Sequence, residues 1–154
     1  MTYQFITLCS EGNLKDAQLV LRSYPNISLN EFQNAFCAAC EYGQLEVAKW
    51  LLQVKPTINI SVDDEQAFRS ACYNGNLEVA KWLLQVKPTI NISACAEYAF
   101  CYACSRGNLE VAQWLLQVKP TIINNISKLQ KCKDITLKKG YLEVAQWLQQ
   151  IISN

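Results

Sequence analysis

The segment Leu77–Ser93 reads LEVAKWLLQVKPTINIS, and nearly the same words begin at Leu45 and Leu109, with a truncated copy at Leu142. Five glycines, at positions 12, 43, 75, 107 and 140, recur at intervals of 31, 32, 32 and 33 residues. Self-similarity at a fixed interval of this length is typical of repeat proteins. The sequence therefore predicts stacked units of about 32 residues, because so small a unit cannot bury its apolar face alone.

Each complete unit predicts two short helices joined by a glycine turn. In the third unit, Phe68, Ala71 and Cys72 are spaced i, i+3, i+4, which marks one face of a helix that stops at Gly75. The repeated sequence after this glycine places valine, alanine and leucine on one stripe of a second helix. Pro88 ends that helix because its ring cannot continue the α-helical backbone. The β-branched tract that follows predicts a short extended arm, here called a finger.

We expect one domain over residues 1–154, built from stacked helix-turn-helix units. It comprises an N-terminal capping unit, three full units and a C-terminal capping unit, with boundaries at 1–28, 29–61, 62–93, 94–127 and 128–154. The end units depart from the pattern, as units with one neighbour do. Leu19 replaces tryptophan in the first unit, and Lys133 replaces phenylalanine in the last. An extra residue in 122–125 is expected to distort the last finger.

The composition is balanced, with 51% hydrophobic residues, 18% charged residues and a formal net charge of +1 over 154 residues. Nucleic acid and acidic membranes are usually bound by a strongly basic face, so this balance argues against both partners. No run approaches the ~18 apolar residues that span a bilayer, and the N-terminus has no basic leader before a long apolar segment. We expect an intracellular, cytoplasmic chain, with the nucleus as the alternative compartment.

Residues 67–92, AFRSACYNGNLEVAKWLLQVKPTINI, resemble the ankyrin repeat, whose units of about 33 residues contain a turn and two antiparallel helices. The matching positions are the small pair before the turn, the turn glycine, the core of helix two and a closing Ile-Asn: Ala71, Cys72, Gly75, Glu78, Val79, Ala80, Leu83, Leu84, Ile90 and Asn91. The family's Thr-Pro-Leu-His start is absent, and the chain has no histidine. The resemblance implies an all-α ankyrin-repeat solenoid with short extended fingers and about five units, including the divergent caps.

The wording of the repeats is similar to that of the ankyrin-repeat proteins that giant DNA viruses of amoebae encode. The shared words are AF, AC, LEVAKWLLQ and KPTINIS. This narrower resemblance implies no assigned activity. It does imply that the partner is a protein of the host cell.

Two C-x-x-C pairs, Cys37 with Cys40 and Cys101 with Cys104, have the spacing of half a zinc site each. They lie in equivalent helices two units apart. At ~8–10 Å per packed helix, the pairs should be roughly 16–20 Å apart, which no single ion can bridge. The sequence therefore argues against a metal site.

Four cysteines occupy one repeat position, three residues before each glycine: Cys9, Cys40, Cys72 and Cys104. We expect them to pack as small buried residues, with a metal site or a disulfide as the alternative. The other four break this column and are expected to be exposed: Cys37, Cys95, Cys101 and Cys132. Eight free thiols would fit a reducing compartment.

The tryptophans also occupy one repeat position, at Trp50, Trp82, Trp114 and Trp147. We expect them to pack between adjacent second helices, because the words around them barely vary. The alternative is an aromatic strip that binds a ligand.

Catalysis finds little support in the sequence. Without histidine there is no Ser-His or Cys-His pair, no His-bearing zinc site and no imidazole acid or base. The glycines stand singly in turns, so no phosphate-binding loop is present. We expect no enzyme activity, no cofactor and no metal.

The positions that differ between units lie in the fingers and on the exposed side of the first helices. In ankyrin proteins these places line the concave face that grips partners, so the resemblance implies a protein-binding role for them in a monomeric chain. The implied residues are Glu41, Tyr42, Asp63, Asp64, Glu65, Arg69, Tyr73, Asn74, Glu97, Tyr102, Ser105 and Arg106. Tyrosine and arginine are common hot-spot residues. The alternative is that these positions are merely solvated and free to vary.

Two other functions remain as alternatives. The chain could be a substrate-recruiting subunit of a ubiquitin ligase, although no docking segment stands out in the sequence. It could also bind nucleic acid or an anionic surface weakly through the lysines of residues 128–139. A further hypothesis is that the partner presents basic residues to the acidic cluster Asp63, Asp64 and Glu65.

Overall fold

The computed structural model describes residues 2–153, with the backbone alone for residues 2 and 92–96. This part of the chain contains ten α-helices, one 3-10 helix and no β-strand. In chain order they are α1 Thr2–Ser10, α2 Leu14–Ser23, α3 Leu29–Glu41, α4 Leu45–Val54, α5 Val62–Tyr73, α6 Leu77–Val86, α7 Ile92–Ser105, α8 Leu109–Val118, the 3-10 helix Pro120–Asn124, α9 Ile126–Lys138 and α10 Leu142–Ser153. Successive α-helices form five pairs, here numbered repeats 1 to 5. None of these helices has the length and apolar content to cross a bilayer.

Glycine ends the first helix of every repeat, as predicted. All five glycines have φ between 76° and 82°, the left-handed region in which a side chain is strained. In repeat 4 the chain folds back through bonds from Gly107 N–H to Cys104 O (3.0 Å) and from Asn108 N–H to Ala103 O (2.9 Å). The second helix then begins at Leu109. The turn thus reverses the chain within three residues.

The chain forms two compact bodies, each with its own core. The first body consists of Met1–Ala71 with Glu78–Ile90, and the second of Cys72–Leu77 with Asn91–Asn154. Both cores use the same repeat positions, which are the phenylalanine of the first helix and a leucine of the second. These residues are at most 1% exposed: Phe5, Phe36, Phe68, Leu51 and Leu83 in the first body, and Phe100, Leu115 and Leu148 in the second. Burial of each such side chain stabilises the fold by roughly 1.5–3 kcal/mol.

The tryptophans pack against the phenylalanine of the preceding repeat. Ring centroids are 6.3 Å apart for Trp50 and Phe5, 6.3 Å for Trp82 and Phe36, and 6.0 Å for Trp147 and Phe100. Packing was the predicted role, and for these three residues it is confirmed. Each of these rings thus meets the first helix of the preceding repeat, a contact that the sequence did not predict.

A side chain from the following repeat covers most of the turn glycines. A Cβ on Gly12 would lie 2.3 Å from Oε1 of Gln44, and one on Gly75 would lie 2.8 Å from Oδ1 of Asn108. A Cβ on Gly107 would lie 2.5 Å from Cδ1 of Tyr141. The covering residue is always the one that follows the next glycine. These glycines are therefore needed for close approach of the next repeat as well as for φ.

The connections between repeats are tight turns, and the predicted extended arm is wrong for Ile92 and Ser93, whose backbone opens α7. Lys55, Pro56, Thr57 and Ile58 form a turn closed by a bond from Ile58 N–H to Lys55 O (3.1 Å). Proline is favoured at the second position of such turns. The same bond recurs at Ile90 and Ile122, and all three isoleucines are 4–6% exposed. The β-branched residue is thus a buried anchor and does not belong to a strand.

The cysteine column is confirmed, since Cys9, Cys40, Cys72 and Cys104 are all 0% exposed. Burial raises the pKa of the Cys9 and Cys104 thiols to about 12. Burial also raises the pKa of Cys40 well above its ordinary value. A thiol with so high a pKa is a poor nucleophile, which fits a packing role.

The remaining cysteines correct the prediction. Cys101 of α7 and Cys132 of α9 form a disulfide with Cα atoms 5.5 Å apart, so these two are not free thiols. Cys132 and Cys37 are 3% and 8% exposed, and the expectation that they lie on the surface is wrong. The side chain of Cys95 lies outside the described residues. The disulfide was missed because Cys101 and Cys132 belong to adjacent repeats but not to equivalent positions.

Candidate functional site

Three tyrosines and two cations form a continuous surface in the second body, here called the tyrosine strip. Its members in spatial order are Arg106, Tyr73, Tyr102, Tyr98 and Lys128. The Tyr73 and Tyr102 rings are 5.6 Å apart, edge to face, and the Tyr102 and Tyr98 rings are 6.5 Å apart. Arg106 Cζ lies 4.2 Å from the centroid of the Tyr73 ring, and Lys128 Nζ lies 4.9 Å from that of Tyr98.

The strip draws on the first helices of three successive repeats. Tyr98, Tyr102 and Arg106 are spaced by four residues along α7 and just beyond its end, which places them on one helix face. Tyr73 is the last residue of α5, and Lys128 lies in the first turn of α9. The repeat stacking therefore assembles a surface that no single repeat contains.

Backbone and side-chain bonds hold the strip in place. Asn108 Nδ2 donates to Tyr73 O (2.8 Å), so the turn of repeat 4 positions the end of α5. Ser105 Oγ donates to Tyr102 O (3.0 Å). Lys128 Nζ donates to Glu97 Oε2, which fixes the lysine beside the Tyr98 ring. The tyrosines are thus presented on a rigid support.

The strip remains open to solvent. Tyr98 is 58% exposed and Tyr102 is 43% exposed, and Arg106 is exposed as well. A tyrosine ring offers an apolar face together with a hydroxyl that both donates and accepts hydrogen bonds. The guanidinium of Arg106 offers planar N–H donors suited to carboxylate. This combination is suited to contacts with a polypeptide.

The predicted acidic cluster is only partly available at the surface of the first body. Asp63 and Asp64 are exposed, but Glu65 is 6% exposed and points inward. Ser61 Oγ donates to Glu65 Oε2 (2.6 Å), and Lys87 Nζ donates in turn to the same hydroxyl. Glu65 therefore holds the turn before α5 together, which makes it a poor candidate for partner contact.

The backbone at the start of α5 is unusual. Asp63, Asp64 and Glu65 have φ of 47°, 53° and 63°, a left-handed conformation that costs a non-glycine residue roughly 1–2 kcal/mol. Arg69 Nη2 donates to Asp63 O (2.7 Å) and so supports this conformation. Arg69, predicted to contact a partner, is thus engaged in supporting the backbone that carries the two exposed aspartates.

The structure places the other predicted residues as follows. Tyr42 caps the end of α3 and is 63% exposed, beside the partly exposed Glu41. Asn74 is exposed in the turn after α5. Ser105 is 8% exposed, which leaves it a supporting role beneath Tyr102.

Of the twelve predicted residues, the second body brings Tyr73, Tyr102 and Arg106 into one surface. Sequence reasoning missed Tyr98 and Lys128. Tyr98 could have been found, because it lies four residues before Tyr102 in a variable segment and so shares its helix face. In the sequence, Lys128 stands out only as one of the lysines of residues 128–139, and the structure shows its contact with Tyr98.

A family model of ankyrin repeats, in three copies, matches residues 5–94, which is more than half of the 154-residue chain. The chain therefore belongs to the ankyrin-repeat family, and the predicted fold class, an all-α ankyrin-repeat solenoid, is confirmed. Ankyrin repeats are generally protein–protein interaction modules and are generally not enzymes. A search of curated proteins found no match to this chain.

Proposed function

We propose that this chain is a non-catalytic binding module that holds a protein partner on its first helices and the adjoining turns. The observation that carries the proposal is the tyrosine strip, which joins two exposed rings, the half-buried Tyr73 ring and two cations in one supported surface. Tyr and Arg are enriched among residues that dominate binding energy. The rings also lose little conformational freedom on binding, because they already contact one another.

The contrast between the two helices of each repeat supports this role. The second helices carry nearly identical words and supply the buried leucines of the core. The exposed first-helix positions carry different residues in each repeat, such as Tyr42, Asn74 and Arg106. Stacking requires the buried residues of the second helices to stay constant, whereas partner recognition can use the exposed residues of the first helices. In this proposal the chain acts as one monomeric domain, and its partner is a protein of the host cell.

The test is a comparison of matched variants in affinity capture. The strip variant carries Tyr73→Ala, Tyr102→Ala and Arg106→Ala. Its control carries three exposed substitutions on α8 of the same body: Glu110→Ala, Gln113→Ala and Gln117→Ala. Proteins retained by the wild-type chain and the control but lost by the strip variant would support the proposal. Retention by all three chains alike, each shown to be folded by circular dichroism, would refute it.

The lysine cluster gives no specific support to nucleic-acid binding. Lys128 Nζ is bound to Glu97, and Lys133 Nζ donates to Gln149 Oε1 (2.7 Å). Two of the lysines are thus used within the second body. We therefore put forward no second function.

A further inference from the structure

We propose, building on the binding role above, that the tyrosine strip recognises an extended segment whose acidic residue pairs with Arg106. In this segment the next two alternate residues are apolar and lie against Tyr102 and Tyr98. The motif is acidic-x-apolar-x-apolar. Three observations carry the inference: the state of Arg106, the spacing of the rings and the charge of the strip.

Arg106 is held in place without an anionic partner. Its guanidinium lies over the Tyr73 ring, while the ion pairs within the described part of the chain involve Lys49, Lys81 and Lys128. A guanidinium that packs on a ring keeps its N–H edge available for a bidentate bond to carboxylate. The side chain is already ordered, so less freedom is lost when the carboxylate binds.

The position of Arg106 also has a purely structural explanation. It follows the last residue of α7, where a cation is favourable beside the negative end of the helix dipole. Arg22 has a comparable place in the last turn of α2, is exposed, and lies in the first body. Arg22 is therefore a matched control, since it shares the helix-end position but is not part of the strip.

The ring spacing fits a strand-like segment. An extended chain advances ~3.3 Å per residue, so side chains on one face recur every ~6.6 Å. The centroid distances of 5.6 Å from Tyr73 to Tyr102 and 6.5 Å from Tyr102 to Tyr98 are close to this repeat. Because Arg106 lies over the Tyr73 ring, alternate residues of an extended segment can reach Arg106, Tyr102 and Tyr98 in turn. About five residues cover the strip.

The charge of the strip favours an acidic segment. Glu97 neutralises Lys128, which leaves Arg106 as the cation of the strip without a carboxylate partner among the described residues. A single acidic residue at the Arg106 end satisfies this charge. The apolar residues that follow meet Tyr102 and Tyr98, which are both exposed.

The experiment measures fluorescence anisotropy of a labelled peptide, Glu-Ser-Leu-Ser-Leu, with the full chain at low ionic strength. The comparison peptide is Gln-Ser-Leu-Ser-Leu. We expect Arg106→Gln to weaken binding of the Glu peptide roughly 10- to 100-fold, the usual worth of a hydrogen bond to a charged group. Arg106→Lys keeps the charge but loses the planar fork, so its affinity for the Glu peptide should lie between those of the wild-type chain and Arg106→Gln. Arg22→Gln should change nothing, and the Gln peptide should bind wild type and Arg106→Gln equally weakly.

Three outcomes would overturn the inference. The first is equal binding of the Glu and Gln peptides to the wild-type chain. The second is an equal loss for both peptides with Arg106→Gln, since Arg106 would then act only by supporting Tyr73. The third is displacement of the Glu peptide by a twelve-residue oligothymidylate with no effect from Tyr102→Ala, which would point to nucleic acid. The proposed function survives any of these if strip-dependent capture of a protein is still observed, so the two failures are distinguishable.

Discussion

The disulfide between α7 and α9 gives the most decisive prediction. Cys101 and Cys132 are 31 residues apart in sequence, and their Cα atoms are 5.5 Å apart. Cross-linking across a loop of this length removes conformational entropy from the unfolded chain worth roughly 3–4 kcal/mol at 25 °C on the chain-entropy model. Reduction should lower the free energy of unfolding of the second body by about this amount.

The assay is thermal unfolding followed by circular dichroism, with and without a non-thiol reductant. For a chain of this size, 3–4 kcal/mol corresponds to a fall in midpoint of roughly 6–16 °C. The double variant Cys101→Ala, Cys132→Ala should unfold at the midpoint of the reduced wild-type chain and should not respond to the reductant. The variant therefore serves as the control for side effects of the reductant on the five buried free thiols.

Two results would refute this reasoning. If the wild-type midpoint does not change on reduction while mass spectrometry shows the bond to be broken, the cross-link contributes no stability. If the untreated chain already carries two more alkylatable thiols than the bonded form allows, the bond is not formed in solution.

Three further predictions concern packing and ionisation. Trp82→Ala should lower the free energy of unfolding of the first body by about 2–4 kcal/mol, as measured by urea unfolding. This is somewhat below the usual cost for a fully buried tryptophan, because the ring is half-buried. A change under 1 kcal/mol would contradict its packing on Phe36. In the same assay, Gly107→Ala should cost about 1 kcal/mol more than Gly140→Ala. Both substitutions strain a φ near 80°, but only a Cβ at position 107 would clash with Tyr141. Equal costs would exclude the steric contribution. Burial raises the pKa of the Cys104 thiol to about 12. The stability that this thiol contributes is therefore complete below the unfolded thiol pKa of about 8.5. It is lost as the pH rises toward 12, at up to ~1.4 kcal/mol per pH unit. Between pH 9 and 10 the free energy of unfolding of Cys104→Ala should therefore fall less than that of the wild-type chain. Parallel plots of this free energy against pH would contradict the raised pKa of Cys104.

The sequence predicted the helix pairs well because several local signals agreed. The copied apolar stripe, the glycine after each first helix and the proline after most second helices all mark the same boundaries. The structure places a left-handed glycine at every one of these turns. Repetition within one chain made each boundary visible several times, so no single position had to decide the assignment.

The fingers and the disulfide escaped prediction for different physical reasons. The tract around Ile58 was assigned from β-propensity, but Pro56 favours a tight turn that buries the isoleucine instead. The disulfide depends on the offset between α7 and α9, which periodicity alone does not give. Helix spacing keeps Cys37 apart from Cys101, but Cys132 lies on the adjacent helix and within bonding distance of Cys101.

The candidate site was predictable by residue type and only partly by arrangement. Variability and family resemblance pointed to Tyr73, Tyr102 and Arg106, which the structure joins in one surface. The same reasoning selected Glu65 and Ser105, which turn inward because nearby polar groups satisfy them. Side-chain direction at the end of a helix or in a turn follows from tertiary contacts that the sequence does not display.

The covered glycines bear on how such a chain changes length by duplication. Asn108 covers Gly75, and Tyr141 covers Gly107. Duplication of the coding sequence for residues 76–107 would place the copy of Asn76 on Gly75 and Asn108 on the first Gly107, and would leave Tyr141 on the second. Each of these turn glycines would then be covered by an asparagine or a tyrosine, as Gly75 and Gly107 are now. Growth from within the array therefore needs no new kind of interface.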